Sequence, residues 1–432
     1  MTNPDSDNRS TFRPTAMDLA LRTAPAGSPE TVPHIGMVLH CEGKPPGRAR
    51  VAAHLAERLP SLPALTSYLA PGGKRWQRRA ALDLDAYVVE QALAPDPDAI
   101  DRAVRELISE PLPEDAPHWQ MHLLHGHAPD RYVIFLRVHH ALQDASGLLH
   151  TLEVLFGSEG EKARSSAPYH GFDSRPSIGL GDRIRAGGAA ADSLLRTGMW
   201  ASRGSRFSSR REQHWCRVPT EALKAAAESC GGTGNDAYLA ALAHALHTWS
   251  ARWQRPAYTG SAVPLLIPAN TRRPAEADAP GNRVAMMKVA LPGGDITAAE
   301  RLRSAPRSTR SLKSPRLREA LRRLYDHMPT PLMRRSLEIA SSPRHTSAMA
   351  SNVALRTPLA FEGDPVTRIA PVMWAPEGIP LASLLLTYMD TTTVCFTSDR
   401  DIPGLDQIHH YWLEAVESLA GKAHDDRERP SD

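Results

Sequence analysis

The stretch "RYVIFLRVHHALQDASGLLHTL" (Arg131–Leu152) decides how the rest of the chain is read. Tyr132 to Val138 is an apolar run of strand length, rich in β-branched and aromatic residues, and it ends on two adjacent histidines. Beyond them Leu148, Leu149, Leu152 and Leu155 recur at helical spacing, so the unit is strand, turn, helix. Side chains alternate along a strand, so His139 and His140 should point to opposite faces. That argues against both binding one metal ion; one faces the core or a loop while the other faces a cleft. An imidazole in a cleft has an ordinary pKa close to neutrality and suits proton abstraction from a hydroxyl or amine. Asp144, just before the helix, is also a good N-cap, worth about 1 kcal/mol with no chemistry attached. Spacing alone leaves both readings open.

Working outward, "HWQMHLLHG" (His118–Gly126) precedes the strand and is joined to it by "HAPD", which reads as an antiparallel hairpin. Upstream lie an apolar segment, "HIGMVLHC", and two helical stretches. "GRARVAAHLAERL" aligns Val51, Leu55 and Leu59, and "PDAIDRAVRELISEPL" aligns Ile100, Val104 and Ile108. Downstream the pattern weakens into Gly, Ser and Arg, which reads as a linker carrying one helix. A second mixed region follows, with the helical "GGTGNDAYLAALAHALHTW" and the strand-like "AVPLLIPA", "RVAMMKVAL", "LASLLLTYM" and "TTTVCFTSD". The expected organisation is α/β: a lobe over residues 1–165, a linker over 166–212 and a second lobe over 213–432. There is no regular βαβ alternation and no short-period repeat.

Composition narrows the function. The 432 residues carry 51 Lys+Arg against 48 Asp+Glu, so the formal +3 gives no argument for nucleic acid. The four cysteines, Cys41, Cys216, Cys230 and Cys395, form no CxxC pair and read as reduced thiols of a cytoplasmic protein. The polar start "MTNPDSDNRSTFRPT" lacks the apolar region of a signal peptide, and no run of about 18 apolar residues predicts a transmembrane segment. Peripheral contact with a membrane or lipid inclusion stays open.

"HHALQDASG" (His139–Gly147) resembles the HHxxxDG motif of acyltransferases built from two chloramphenicol-acetyltransferase-like lobes, a superfamily that includes condensation domains. Further stretches resemble its bacterial wax ester synthase/diacylglycerol acyltransferase branch: "MDLALR", "DLDAYVVEQALAP", "PHWQMHLLHG", "GGTGNDAYLAALAHAL", "GNRVAMMKVALP", "SNVALRTPLAFEG" and "SDRDIPGLDQI". They occur in the family's order from Met17 to about Leu419. The resemblance implies two lobes of mixed sheets flanked by helices, with an active-site tunnel between them. It makes His140 the general base, His139 mainly structural, and Asp144 the residue that holds the loop through a buried hydrogen bond or an ion pair with an arginine. Asn235 and Asp236 match the family's ND pair; they either cap a helix or place the Asn235 amide at the oxyanion, with Asp236 on the substrate-binding side. Asn282 in "GNR" and Ser351–Asn352 in "SNV" are assigned to substrate binding and to the interface between the lobes. The implied donor is acyl-CoA or an acyl-carrier thioester, and the acceptor a hydroxyl, by default a fatty alcohol or diacylglycerol. Transfer would be direct, with no cofactor and no metal.

The chain also departs from the family. Ala145 stands where the motif has glycine, or a glycine and one residue are deleted; His118 replaces the leucine of a PLW element; and no Pro-Gly follows "SNV". Two alternatives rest on these changes: a tailoring acyltransferase of secondary metabolism with another alcohol or amine acceptor or a carrier-protein donor, and a non-catalytic binding or scaffold homologue. His118, His122, His125 and His127 cluster without the Cys or carboxylate that would complete a zinc set. The basic run Glu300–Ala340 reads as a solvated helix face, with attraction of CoA phosphates or anionic headgroups as the alternative. Ser383 lacks a GxSxG elbow, so no serine nucleophile is expected.

Overall fold

The computed structural model describes residues 12–70, 72–113, 116–157, 176–195, 198–200, 207–228, 230–254 and 257–428. Its strands, in chain order, are β1 (His34–Glu42), β2 (Ser67–Tyr68), β3 (Gln77–Arg78), β4 (Val88–Ala92), β5 (Trp119–His125), β6 (Arg131–His139), β7 (Arg211–Pro219), β8 (Ala262–Asn270), β9 (Val284–Pro292), β10 (Ala348–Leu355), β11 (Ala360–Phe361), β12 (Asp364–Val372), β13 (Leu381–Tyr388) and β14 (Thr391–Asp399). They form one six-stranded sheet in the order β11-β12-β1-β6-β5-β4, a second in the order β7-β14-β13-β10-β8-β9, and the small pair β2-β3. Helices flank both large sheets. The α/β architecture and the β5–β6 hairpin are as the sequence predicts.

β6 occupies the middle of the first sheet. It pairs antiparallel with β1, His34 opposite His139 and Glu42 opposite Arg131, and on its other side with β5. Both faces are covered by core, which explains an apolar run broken only by Arg137. Tyr132, Ile134, Leu136 and Val138 enter a large core with the helices Arg48–Arg58 and Ala145–Phe156. Val133 and Phe135 point the other way, into a smaller core under the helix Ala99–Ser109. Arg137 shares that second face and is sealed there; its guanidinium donates to the carbonyls of Leu107 and Glu110 and to the Gln120 side chain.

Sheet membership does not follow the expected division at residue 213. β11 and β12 come from the C-terminal half yet complete the N-terminal sheet, β12 lying antiparallel to β1 with Val38 opposite Ala370. The large core follows the same crossing, since Leu266, Met286, Met349 and Leu384 pack with Leu148 and Leu149. The linker expected over 166–212 carries the helix Leu180–Asp192; its stretches 166–175, 196–197 and 201–206 lie outside the described residues. No helix among the described residues is long and apolar enough to cross a membrane.

Candidate active site

β6 ends on His139, and the next residue turns away. The His140 backbone N–H donates to the Pro33 carbonyl at 2.6 Å, and that of Leu142 to the His139 carbonyl at 2.8 Å. The turn sends the two imidazoles into different surroundings. His139 is buried between His34 and His118, whose ring centroids lie 5.8 and 5.9 Å away, and its Nδ1 accepts from the Ala141 N–H at 3.1 Å. Burial, then the neighbouring His34, His118 and Arg22, hold its pKa well below the usual range, so it stays neutral.

His140 meets Trp374 edge to face, with centroids 5.9 Å apart. Its Nδ1 is buried with no hydrogen-bond partner among the described residues. The residue as a whole is half-buried. Burial lowers the pKa of His140; its own carbonyl, Asp144 and Asn282 push the other way without overcoming it. A neutral imidazole with one accessible nitrogen is the form a general base requires.

Asp144 does two things at once. As N-cap of the helix Ala145–Phe156 its Oδ1 accepts from the Gly147 N–H at 2.8 Å. Its Oδ2 accepts from the Arg272 guanidinium and from the Arg283 N–H, each at 2.8 Å. Arg272 continues into the carbonyls of Glu276, Ala279 and Gly281. Burial alone would raise the Asp144 carboxyl, but Arg272 and the backbone donors outweigh it, and its pKa lies below the usual value. Ala145 is an ordinary first helical residue with no positive φ, so the position does not need glycine. The close approach occurs at Gly147, where an added Cβ would stand 3.1 Å from the Arg272 guanidinium nitrogen. The departure from the motif at Ala145 thus places no backbone strain on the turn.

The loop joining β8 to β9, residues 271–283, reaches from the second sheet onto this turn. Gln143 and Gly281 form a parallel bridge. Asn282 is buried: its Nδ2 donates to the His140 carbonyl at 2.7 Å and to Asp18 at 3.0 Å, and its backbone N–H donates to Asp18 at 2.6 Å. Asp18 belongs to the helix Ala16–Arg22, where it forms a capping box with Thr15. "MDLALR", "HHALQDASG" and "GNR" therefore meet at one point, where the Asn282 amide ties the loop to the turn.

The remaining predicted residues lie on other elements. Asn235 opens the helix Gly234–Trp253, and its Oδ1 accepts from Asn352 Nδ2 at 3.0 Å, while its own amide hydrogens have no protein partner among the described residues. Asp236 is sealed in a capping box with Thr233 and pairs with Lys313 at 2.9 Å, so its carboxylate is structural. Ser351 and Asn352 sit on β10 just past the point where β10 leaves β8; the two strands pair only at Ala348–Leu265 and Met349–Leu266. Ser383 is buried against the Tyr238 hydroxyl at 2.6 Å. His118 bonds the Pro113 carbonyl, His122 meets Arg137 and His125 meets Glu90, so these rings serve separate partners. The basic run is only partly solvated, since Arg301 and Arg322 are buried, the latter against Glu276. Neither of the two best-defined cavities is lined by His140. The nearer one, lined by Asn282, Arg283 and Tyr325, holds about 10 Å³, room for one water. Sequence reasoning missed Arg272, Asp18, Arg283 and Trp374. Only Asp18 left a signal, in a quoted motif with a threonine three residues before it.

A family model described as the wax ester synthase/diacylglycerol acyltransferase catalytic domain matches residues 17–204, and one described as the WS/DGAT C-terminal domain matches residues 280–420. Among curated proteins, one from Mycobacterium tuberculosis named as a diacylglycerol O-acyltransferase is 27% identical over 230 residues, 50% of each chain. The chain thus spans about half the length of that relative. Another of that name from the same organism is 23% identical over 404 residues, 85% of this chain and 87% of the other. Among solved structures, the wax ester synthase/diacylglycerol acyltransferase of Marinobacter aquaeolei VT8 superposes with a TM-score of 0.61 at 18% identity, covering 96% of this chain and all of that one. The first condensation domain of the calcium-dependent antibiotic synthetase gives 0.66 at 18% identity, covering 96% and 97%.

Proposed function

The chain belongs to the wax ester synthase/diacylglycerol acyltransferase family, and we propose that it is an acyl-CoA-dependent O-acyltransferase with His140 as its general base. The observation that carries this is the His140 ring at the end of β6, with Nδ1 sealed and its turn locked by the buried Asp144–Arg272 pair. In the proposed reaction Nε2 takes the proton of an acceptor hydroxyl as that oxygen attacks the thioester carbonyl. The tetrahedral intermediate then collapses, the C–S bond breaks, and the departing CoA sulfur takes the proton back from the imidazolium. The free amide hydrogens of Asn235 are the proposed donors to the oxyanion. The acceptor is proposed to be a fatty alcohol or diacylglycerol, in line with the names of the relatives. The helical geometry of Ala145 supports an active enzyme, because it removes the reason for a scaffold reading.

The test is CoA release by the purified protein over a panel of acyl-CoA donors and alcohol, diacylglycerol and amine acceptors. An alcohol-dependent rate should appear and should fall by at least about a hundredfold in His140→Ala, with the fold retained by circular dichroism. Equal rates in wild type and variant, or none with any acceptor, would sink the reading.

A further inference from the structure

A second site lies on the far side of the N-terminal sheet. A cavity of about 100 Å³ opens where β1, β12 and the helix Ala99–Ser109 meet β7, lined among others by His40, Asp101, Trp215, Arg217 and Arg368. It is remote from His140: His40 lies six residues along β1 from His34, the partner of His139, which is about 20 Å of strand. Two arginines from the C-terminal half converge there, one on β7 and one on β12.

The buried arginines 137, 211, 272, 283 and 322 each have a carboxylate within ion-pair distance, while the buried Arg301 donates to the Pro292 and Gly294 carbonyls instead. Among the described residues neither Arg217 nor Arg368 has one. Arg368 is half-buried, and its guanidinium lies against the His40 ring nitrogens at 2.7 and 2.9 Å. That ring is itself held neutral by burial and by the nearby Arg368, His127, Arg217 and Arg131. Burial and then Arg217 lower the Arg368 pKa to about 10, the cost of facing two cations at each other. Asp101 is the one carboxylate in the lining and lies beyond ion-pair distance of both. Trp215 fixes the floor, its Nε1 donating to the Pro371 carbonyl at 2.7 Å while Arg105 covers its ring. A recess with two guanidinium groups that lack a carboxylate partner among the described residues, Arg217 exposed and Arg368 half-buried against His40, matches an oxyanion with enough oxygens to bridge both.

We propose that Arg217 and Arg368 form a binding site for a phosphate-class anion at the seam between the two sheets, separate from the acyl-transfer centre. The source is a free phosphate or phosphomonoester entering the recess, with a lipid headgroup as the other source of the same chemistry.

The experiment is titration of inorganic phosphate into the full chain at constant ionic strength, read by calorimetry and by melting temperature, with chloride as control. Phosphate should bind and raise the melting temperature. Arg368→Gln should weaken binding by about tenfold or more without lowering the melting temperature in chloride, because it removes a cation that has no acidic partner. Asp101→Asn should act oppositely and tighten phosphate binding. Phosphate binding that is absent in wild type, or unchanged in both variants, overturns the site. Vesicles of anionic phospholipid supply the other arm: Arg368-dependent sedimentation with vesicles and no binding of free phosphate would overturn the free-phosphate source.

Discussion

At the scale of single residues, a histidine works as a base only if one nitrogen is open and the ring is neutral at the working pH. His140 is half-buried, with Nδ1 sealed and its pKa held down by burial. Its lowered pKa sets the sign of a prediction. The acid limb of kcat/KM for CoA release should fall below pH 6.5, the ordinary imidazole value, when followed between about pH 5 and 8; a limb above 6.5 would contradict the assignment. Asp144 gives a second prediction. Its folded pKa is depressed, so its contribution to stability is fully present above the unfolded value of about 3.9 and is lost as pH falls through the folded one. Asp144→Asn should cost about 3–5 kcal/mol in urea unfolding near neutrality, because Arg272 would be left buried without its counter-charge, and the difference from wild type should shrink below about pH 4. His140 and Asp144 were legible because they are neighbours in a motif. Arg272 was not: it meets Asp144 across 128 residues, and nothing local marks one arginine of "TRRP" as buried.

At the scale of elements, the strand–turn–helix unit was readable since its periodicity changes from continuous to helical within a few residues. What could not be read was where its glycine was needed. The motif suggests the position after the aspartate, but the helix begins at once with Ala145, and close contact comes at Gly147 over Arg272. The two positions should therefore respond oppositely to exchange. Ala145→Gly should leave kcat/KM unchanged and cost no more than about 1 kcal/mol of stability. Gly147→Ala should push Arg272 from Asp144 and lower both; thermal melts beside CoA-release rates check this, and an inert Gly147→Ala would refute it. β12 escaped notice for a related reason: it contains Pro365 and Pro371, and proline argues against a strand inside a sheet. β11 pairs with it over only two positions, Asp364 and Pro365, so Pro371 lies where that edge carries no ladder.

At the scale of the whole molecule, the decisive feature is that the C-terminal half builds part of the N-terminal lobe. β12 supplies the second neighbour of β1, and directly after it Trp374 reaches the His140 ring while its Nε1 donates to the Thr31 carbonyl at 2.8 Å. The β8–β9 loop does the same from the other sheet through Arg272 and Asn282. Strand order in a sheet is a long-range property, and a lobe boundary drawn where composition changes has no means of detecting a strand that returns. The consequence can be measured by producing residues 1–212 and 213–432 as separate chains. Alone, the first would expose the edge of β1 and the apolar side chains of β1 and β6 that pack toward the C-terminal half, the kind of open edge that drives association. It should be insoluble or aggregated. Co-expressed, the two chains should co-purify and unfold in one transition, because neither large core is complete without the other half. A soluble, monomeric 1–212 with its own cooperative melt would show instead that the lobe folds alone and that the crossing strands are an addition to it.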